Sequence, residues 1–386
     1  MASENTLLRE KTPCVDLKLR DWDSIHEMGA MAADLIASDA QDFGTTVLRH
    51  VQANLRQSVK RLSHLTSSMK DVPALVIGAG PSLEKNGHLL SSWQDKALLI
   101  AAGHAIHSIP TRPSMGVFLD PFEPIQKSAY ADIPYCLQGR THPKTRKCTN
   151  GDILYFPDSH FAFEPWLTEE EKLFNAGWTV GNAALAVAVE LGCNPIILVG
   201  MDYCYRGEQK YAWKKEGADM LRISAVDAEG QNVWTQKDWL LSIHWMQDLA
   251  RSHPEICFIN ATEKGMRMDN PIVTKPLPPA PETRGVKAKW EKVLEKAPKM
   301  KLCANRMKQW SEHLAACRWN LQRESLTFRE NHASKLLLDP LWNIWGPMFE
   351  KETTIDLHPI PLKEKQQVQK RLFFNRVIEE HLACLI

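Results

Sequence analysis

No two of the nine cysteines form a C-x-x-C pair, and their number is odd. That scatter excludes a disulfide framework or a zinc knuckle and reads as reduced thiols. A surplus of one charge is also missing. Lys and Arg total 47 and Asp and Glu total 46, a formal charge of +1. Proteins that coat nucleic acid are far more basic, so nucleic acid is not an expected partner. No apolar run is long enough to span a membrane, because the most apolar stretch, residues 183–201, is interrupted by Glu190 and Asn194. The first 23 residues mix Glu4, Arg9, Glu10, Lys11 and Asp16 without the apolar centre of a signal peptide, so a cytoplasmic location is expected. Tyrosine is scarce, with 6 against 13 tryptophans. The 44% of hydrophobic residues is enough for a core and excludes disorder over the whole chain.

The order of textures divides the chain. Residues 22–69 carry apolar side chains at three and four spacings, among them Met28, Met31, Leu35, Val47, Val51, Leu55, Val59 and Leu62, which predicts an N-terminal helical region over residues 1–70. After Pro73 the pattern changes to short apolar runs at 74–77, 97–102, 115–119, 153–156, 196–199 and 256–259. Helix-like stretches at 83–93 and 182–191 lie between some of them. Buried strands alternating with helices predict an α/β domain over 71–273, with a mostly parallel sheet and helices on both faces. Residues 274–283 read T-K-P-L-P-P-A-P-E-T, a stiff linker placed at 274–285. Helical spacing returns over 286–338 and again over 363–382, so 286–386 is expected to be a C-terminal helical region. From 284 to 335 there are thirteen Lys and Arg against five Asp and Glu, either an acidic-partner surface or the wet face of a bundle.

Two helix starts and several strand ends carry polar chemistry. The run Val76-Ile77-Gly78-Ala79-Gly80-Pro81-Ser82 goes from strand to helix. Its glycines allow close backbone approach, and a helix N-terminus suits a phosphate. Leu83 stands where a third glycine of G-x-G-x-x-G would be, and no P-loop sequence occurs. Trp178-Thr179-Val180-Gly181-Asn182 is a second start, in which Thr179 or Asn182 can cap the helix. His104, Asp120, Asp202 and Asn260 each follow an apolar strand, so they belong on the carboxyl edge, where open α/β sheets bind ligands. Asp and Asn also favour strand-ending turns for purely structural reasons.

These blocks together, V-I-G-A-G-P-S-L-E-K-N, F-L-D-P, T-V-G-N-A-A-L-A-V-A-V-E-L-G-C-N-P-I-I-L-V-G-M-D and I-N-A-T-E-K-G, resemble one Rossmann-like domain over about residues 71–273. It is the domain shared by motility accessory factor proteins, which are flagellin glycosyltransferase-like, and by 6-hydroxymethylpterin diphosphokinase MptE-like proteins. The order is also similar to bacterial sialyltransferases that use CMP-activated nine-carbon sugars. The resemblance implies a Rossmann-like fold and a transferase whose cofactor is a nucleotide-sugar donor, CMP-nonulosonate-like, with a protein as a possible acceptor. It implies a nucleotide site at Gly78, Gly80, Pro81, Ser82, Thr179, Gly181 and Asn182, with Asn260 on the same edge. His104 stands where the family pattern has a small polar or acidic residue. The His-Gly-Asp-Asn-type motifs of the pterin kinases have no counterpart. The runner-up readings are an ATP- and Mg²⁺-dependent diphosphokinase and a non-catalytic nucleotide-binding scaffold.

Glycosyl transfer needs a base for the acceptor hydroxyl and stabilisation of the departing nucleotide. His104, Asp120 and His160 are candidate bases, and His104, Asp120 and Asp202 form the expected catalytic set. Asp120, Glu123, Asp158 and Asp202 could gather around a metal, but no D-x-D closes a strand, and no metal site is assigned. His104 and His107 have H-x-x-H spacing without an evident third ligand. His142, Lys144, Arg146 and Lys147 form a basic loop, and Tyr203, Tyr205 and Tyr211 with Arg206 and Lys210 suggest a lid.

Overall fold

The structure is a computed structural model. It describes residues 22–315, apart from 57, 125–129, 158–163, 165–167, 171–173, 214–221, 301–304, 307, 310, 313–314. The expected helix at 363–382, Asp158, His160 and the tryptophans at 310, 319, 342 and 345 lie outside the described residues.

Ten strands form one sheet: β1 (Val59–Arg61), β2 (Ala74–Ile77), β3 (Leu98–Ala102), β4 (Met115–Phe118), β5 (Tyr135–Gln138), β6 (Ile153–Phe156), β7 (Ile196–Val199), β10 (Phe258–Asn260), β11 (Val273–Thr274) and β12 (Lys299–Met300). β8 (Ile223–Val226) and β9 (Asn232–Thr235) make a separate antiparallel hairpin. The order in the sheet is β11-β10-β7-β2-β3-β4-β5-β6-β1-β12, parallel throughout except for the β1–β12 edge pair. From β2 the chain walks outward to β6, then returns to β7 on the other side of β2. The β2–β7 boundary is therefore the topological switch point, and the crevice outside its carboxyl ends is the ligand position expected of this architecture.

The strands are near-continuous apolar runs because both faces are covered. Leu75, Ile77, Leu99, Ala101, Ile197 and Val199 face one core, and Val76, Leu98, Ile100, Ile196 and Leu198 face the other, as the two-residue side-chain period requires. Seven α-helices are named here: α1 (Trp22–Leu55), α2 (Leu83–Asn86), α3 (Ala105–Ser108), α4 (Pro143–Arg146), α5 (Val180–Glu190), α6 (Lys237–Ser252) and α7 (Val286–Lys296). Val47, Val51 and Leu55 of α1, with α2 and α3, cover the first face. The small-residue helix α5, with Met246 and Ala250 of α6 and Trp290 and Leu294 of α7, covers the second. No described helix is long and apolar enough to cross a membrane.

The flanks differ from their sequence reading. The helical spacing of 22–69 stops at Leu55, and residues 59–61 become an edge strand against β6. Lys60 explains why, since its buried ammonium donates to Asp152 Oδ2 at 2.7 Å and to the Leu294 carbonyl at 2.6 Å. Beyond the proline-rich segment, α7 packs on the sheet and residues 299–300 pair with β1.

Candidate functional site

The glycine-rich loop leaves β2 and meets the loop leaving β7. The Gly78 N–H donates to the Val199 carbonyl at 2.8 Å, and the Gly80 N–H to the Gly200 carbonyl at 2.9 Å. A Cβ at Gly78 would lie 2.4 Å from the Gly200 oxygen, and one at Gly80 2.1 Å from Asp202 Oδ2. Both glycines therefore serve the closeness of the two loops. Asp202 turns its carboxylate onto the helix start. It accepts from the Ser82 N–H at 3.0 Å and from the Ser82 hydroxyl at 2.6 Å, and Arg206 stands 3.6 Å away. Burial raises the Asp202 carboxyl to about 6, with Ser82 and Arg206 pulling the other way. The end of the helix expected to take a phosphate thus already carries an internal anion. The helix is also short, because α2 gives way at Gly87 to a 3-10 segment, Gly87–Trp93.

The second helix start is folded inward as well. Thr179 is the N-cap of α5, its hydroxyl accepting from the Asn182 N–H at 3.3 Å. Asn182 is fully buried; its Oδ1 accepts from the Trp178 N–H at 3.0 Å and its Nδ2 donates to the Ser242 carbonyl at 3.2 Å. A Cβ at Gly181 would lie 2.7 Å from Met201 Cε, and one at Gly78 would lie 2.7 Å from Met201 Sδ. Met201 is therefore the point where the two motifs, a hundred residues apart, come together. Asn260 closes its own turn, accepting from the Thr262 N–H at 3.0 Å, while the Thr262 hydroxyl accepts from the Met201 N–H at 3.0 Å.

Beside this buried frame stands a second, less deeply buried set. Residues 206–213 cross over the glycine loop, with the Ala212 N–H on the Ala79 carbonyl at 2.8 Å and the Trp213 N–H on Glu84 Oε1 at 2.6 Å. This crossing brings Tyr211 onto exposed His104, the rings stacked at 5.0 Å. The Lys210 ammonium lies 5.3 Å from the Tyr211 ring centre and 5.7 Å from that of Trp239. Burial raises the Asp120 carboxyl above the ordinary carboxylate range, opposed by the charges of His104, Arg140 and Lys210. Burial likewise raises Asp238, in the first turn of α6, with Lys210 opposing. Burial thus favours the protonated form of both carboxyls, and the charge of Lys210 opposes it in each.

The predicted residues therefore fall into two layers. His104 and Asp120 belong to the less buried set with Lys210. Ser82, Asn182, Asp202 and Asn260 form the frame behind it, with Gly78, Gly80, Pro81, Thr179 and Gly181 in its backbone. Tyr203 and Tyr205 are buried rather than lid-like; Tyr203 takes φ 53° and its hydroxyl reaches Met246 Sδ at 3.8 Å. The basic loop is α4, in which His142 accepts from the Lys144 N–H, Lys144 pairs with Glu123, and Arg146 donates to the Ser58 carbonyl at 3.0 Å. Asp238, Trp239 and Arg140 were missed by sequence reasoning. A signal existed for the first two, since Asp238 opens a stretch with Leu241, Trp245 and Leu249 at fourfold spacing. Among the described residues no three His, Cys, Asp or Glu side chains are grouped to hold a metal ion.

Comparison with known proteins follows the same lines. The family model of 6-hydroxymethylpterin diphosphokinase MptE-like proteins matches residues 48–208. The solved structure of MAf glycosyltransferase from Magnetospirillum magneticum AMB-1 is similar at a TM-score of 0.60 and 16% identity, covering 88% of this chain and 59% of that chain. The present chain thus spans 59% of that protein's length, and the likeness is one of fold. No curated protein matches the sequence. Residues 48–208 are therefore similar to the MptE-like family, in a chain that shares its fold with the MAf glycosyltransferase, in line with the resemblance of its sequence motifs.

Proposed function

We propose that the chain is a nucleotide-dependent glycosyltransferase that takes a CMP-nonulosonate-like donor and transfers the sugar to a protein hydroxyl. The observation that carries this reading is the stacking of Tyr211 on His104 at the carboxyl edge, with Lys210 against the same ring and Asp120 after the neighbouring strand, on a fold shared with the MAf glycosyltransferase. In the reaction, the acceptor oxygen attacks the anomeric carbon and its proton passes to the Asp120 carboxylate. The bond from that carbon to the nucleotide phosphate breaks, and the electron pair leaves with the phosphate. Lys210 faces the charge that develops there. The nucleotide rests against the glycine loop and the α5 start, which Asp202 and Asn182 hold rigid from behind. The diphosphokinase reading is favoured by the name of the matching family model alone.

Loss of the Ser82 or Asn182 side chain would disturb the buried frame, so Lys210 is the better probe of binding. Titration calorimetry with CMP, UDP and ATP should show binding of CMP to the native protein. Lys210→Ala should weaken it roughly tenfold, about 1.4 kcal/mol. Equal affinity in both proteins would remove Lys210 from the site. Binding of ATP in place of CMP would favour the kinase, and nucleotide binding with no donor turnover would favour the scaffold.

A further inference from the structure

We infer that Asp39 of the N-terminal helix α1 is a positioning residue of the site, acting through Arg140 to set the charge that Asp120 experiences. The inference rests on the reading of Asp120 as the base.

The geometry begins with the reach of α1. Its 34 residues make a rod about 50 Å long. Its last turns sit in the core of one sheet face, while Asp34 pairs at 2.7 Å with Lys237, where α6 begins on the other face. The earlier half of α1 therefore lies over the carboxyl edge. There it grips residues 139–141 at successive points. Asn54 Nδ2 donates to the Gly139 carbonyl at 2.9 Å and the Thr141 carbonyl at 2.7 Å, and His50 Nδ1 lies 3.0 Å from the Arg140 carbonyl. The Arg140 guanidinium takes the Asp39 carboxylate with both arms, Nη1 to Oδ2 at 2.8 Å, and lies 5.8 Å from the Phe43 ring centre. The same loop is tied on its other side to the Asp120 segment. The Thr141 hydroxyl donates to the Phe118 carbonyl at 3.0 Å and the His142 N–H to the Asp120 carbonyl at 3.0 Å. A chain of contacts thus runs from α1 through residues 140–142 to the backbone of Phe118 and Asp120.

The electrostatic consequence has a definite sign. The charges facing the Asp120 carboxyl are His104 after β3, Arg140 after β5 and Lys210 after β7. Arg140 and Lys210 are cationic and favour its ionised form, and the coupling to His104 acts in the same direction. Asp39 is the carboxylate that holds Arg140, and it offsets that cation, so Asp120 keeps the proton affinity that burial confers. Residues well outside the glycine-rich motifs would then belong to the working site.

The test follows the ¹³C carboxyl signal of Asp120 through a pH titration of the full chain, the signal being assigned by its loss in Asp120→Asn. No substrate is needed. Asp39→Asn should move the midpoint to lower pH, because Arg140 is no longer offset. Arg140→Gln should move it to higher pH, and Asp39→Glu should restore the native value. Opposite shifts from the two partners are not what a merely structural pair would give. Unchanged midpoints in folded Asp39→Asn and Arg140→Gln would overturn the inference. If Asp39→Asn does not fold, Arg140→Gln decides alone, an upward shift supporting the inference and no shift overturning it. Failure of the transferase reading would show separately, as turnover indifferent to Asp120→Asn.

Discussion

Gly80→Ala should destabilise the protein by roughly 3–5 kcal/mol, most of the margin that a typical domain possesses. The added methyl would stand 2.1 Å from Asp202 Oδ2 and 2.7 Å from the Gly200 carbonyl. The backbone oxygen cannot yield, because Gly200 lies in the strand-ending turn that also receives the Gly80 N–H. The carboxylate would have to leave Ser82, stranding a buried charge and a buried hydroxyl. Gly29→Ala is the matching control. Gly29 lies within α1 with nothing within 4 Å of its added Cβ, so that change should stabilise by about 0.5–1 kcal/mol through helix propensity. Urea unfolding of the two variants measures both. A loss at Gly80 no greater than 1 kcal/mol would show that the loops are not locked as described.

Asp120→Asn should lower donor turnover by roughly 10²- to 10⁴-fold, the usual contribution of a positioned general base. Asparagine keeps the shape of the side chain and removes its capacity to take the acceptor's proton. CMP affinity should change far less, because the nucleotide is assigned to the glycine loop and Lys210. The checking measurement is the rate of CMP release from a CMP-activated nonulosonate, with and without acceptor, alongside calorimetry of CMP. Turnover within threefold of native would assign the proton transfer elsewhere, first to His104, which lies close enough to influence Asp120.

The contrast between these substitutions reflects what was legible in the sequence. The central strands were readable because a sheet covered on both faces makes unbroken apolar runs, as in Ala74–Ile77 and Ile196–Val199. β5 was not, since Tyr135–Gln138 contains a cysteine and a glutamine that count weakly as strand residues, although all four are buried. β1 was hidden by a helical spacing that continues through Val59 and Leu62, and only the distant Asp152 and Leu294 reveal why Lys60 lies in a strand. For the site, strand-end polarity placed His104, Asp120, Asp202 and Asn260 on one edge. It did not separate the less buried from the buried. That division depends on partners 120 residues apart, as in Ser82 and Asp202, and on the crossing of residues 206–213, which no local pattern encodes. The glycine motif was recognisable, but its glycines accommodate Asp202 and Gly200 of the neighbouring loop.

On the proposed reading the nucleotide lies in the crevice at the β2–β7 switch point, on the edge that also carries His104, Asp120 and Lys210. A crystal of the native protein soaked with CMP tests it most directly. Density for the nucleotide is expected against residues 78–82 and 179–182, with its phosphate facing Lys210. Nucleotide density away from the carboxyl edge of the sheet would contradict it.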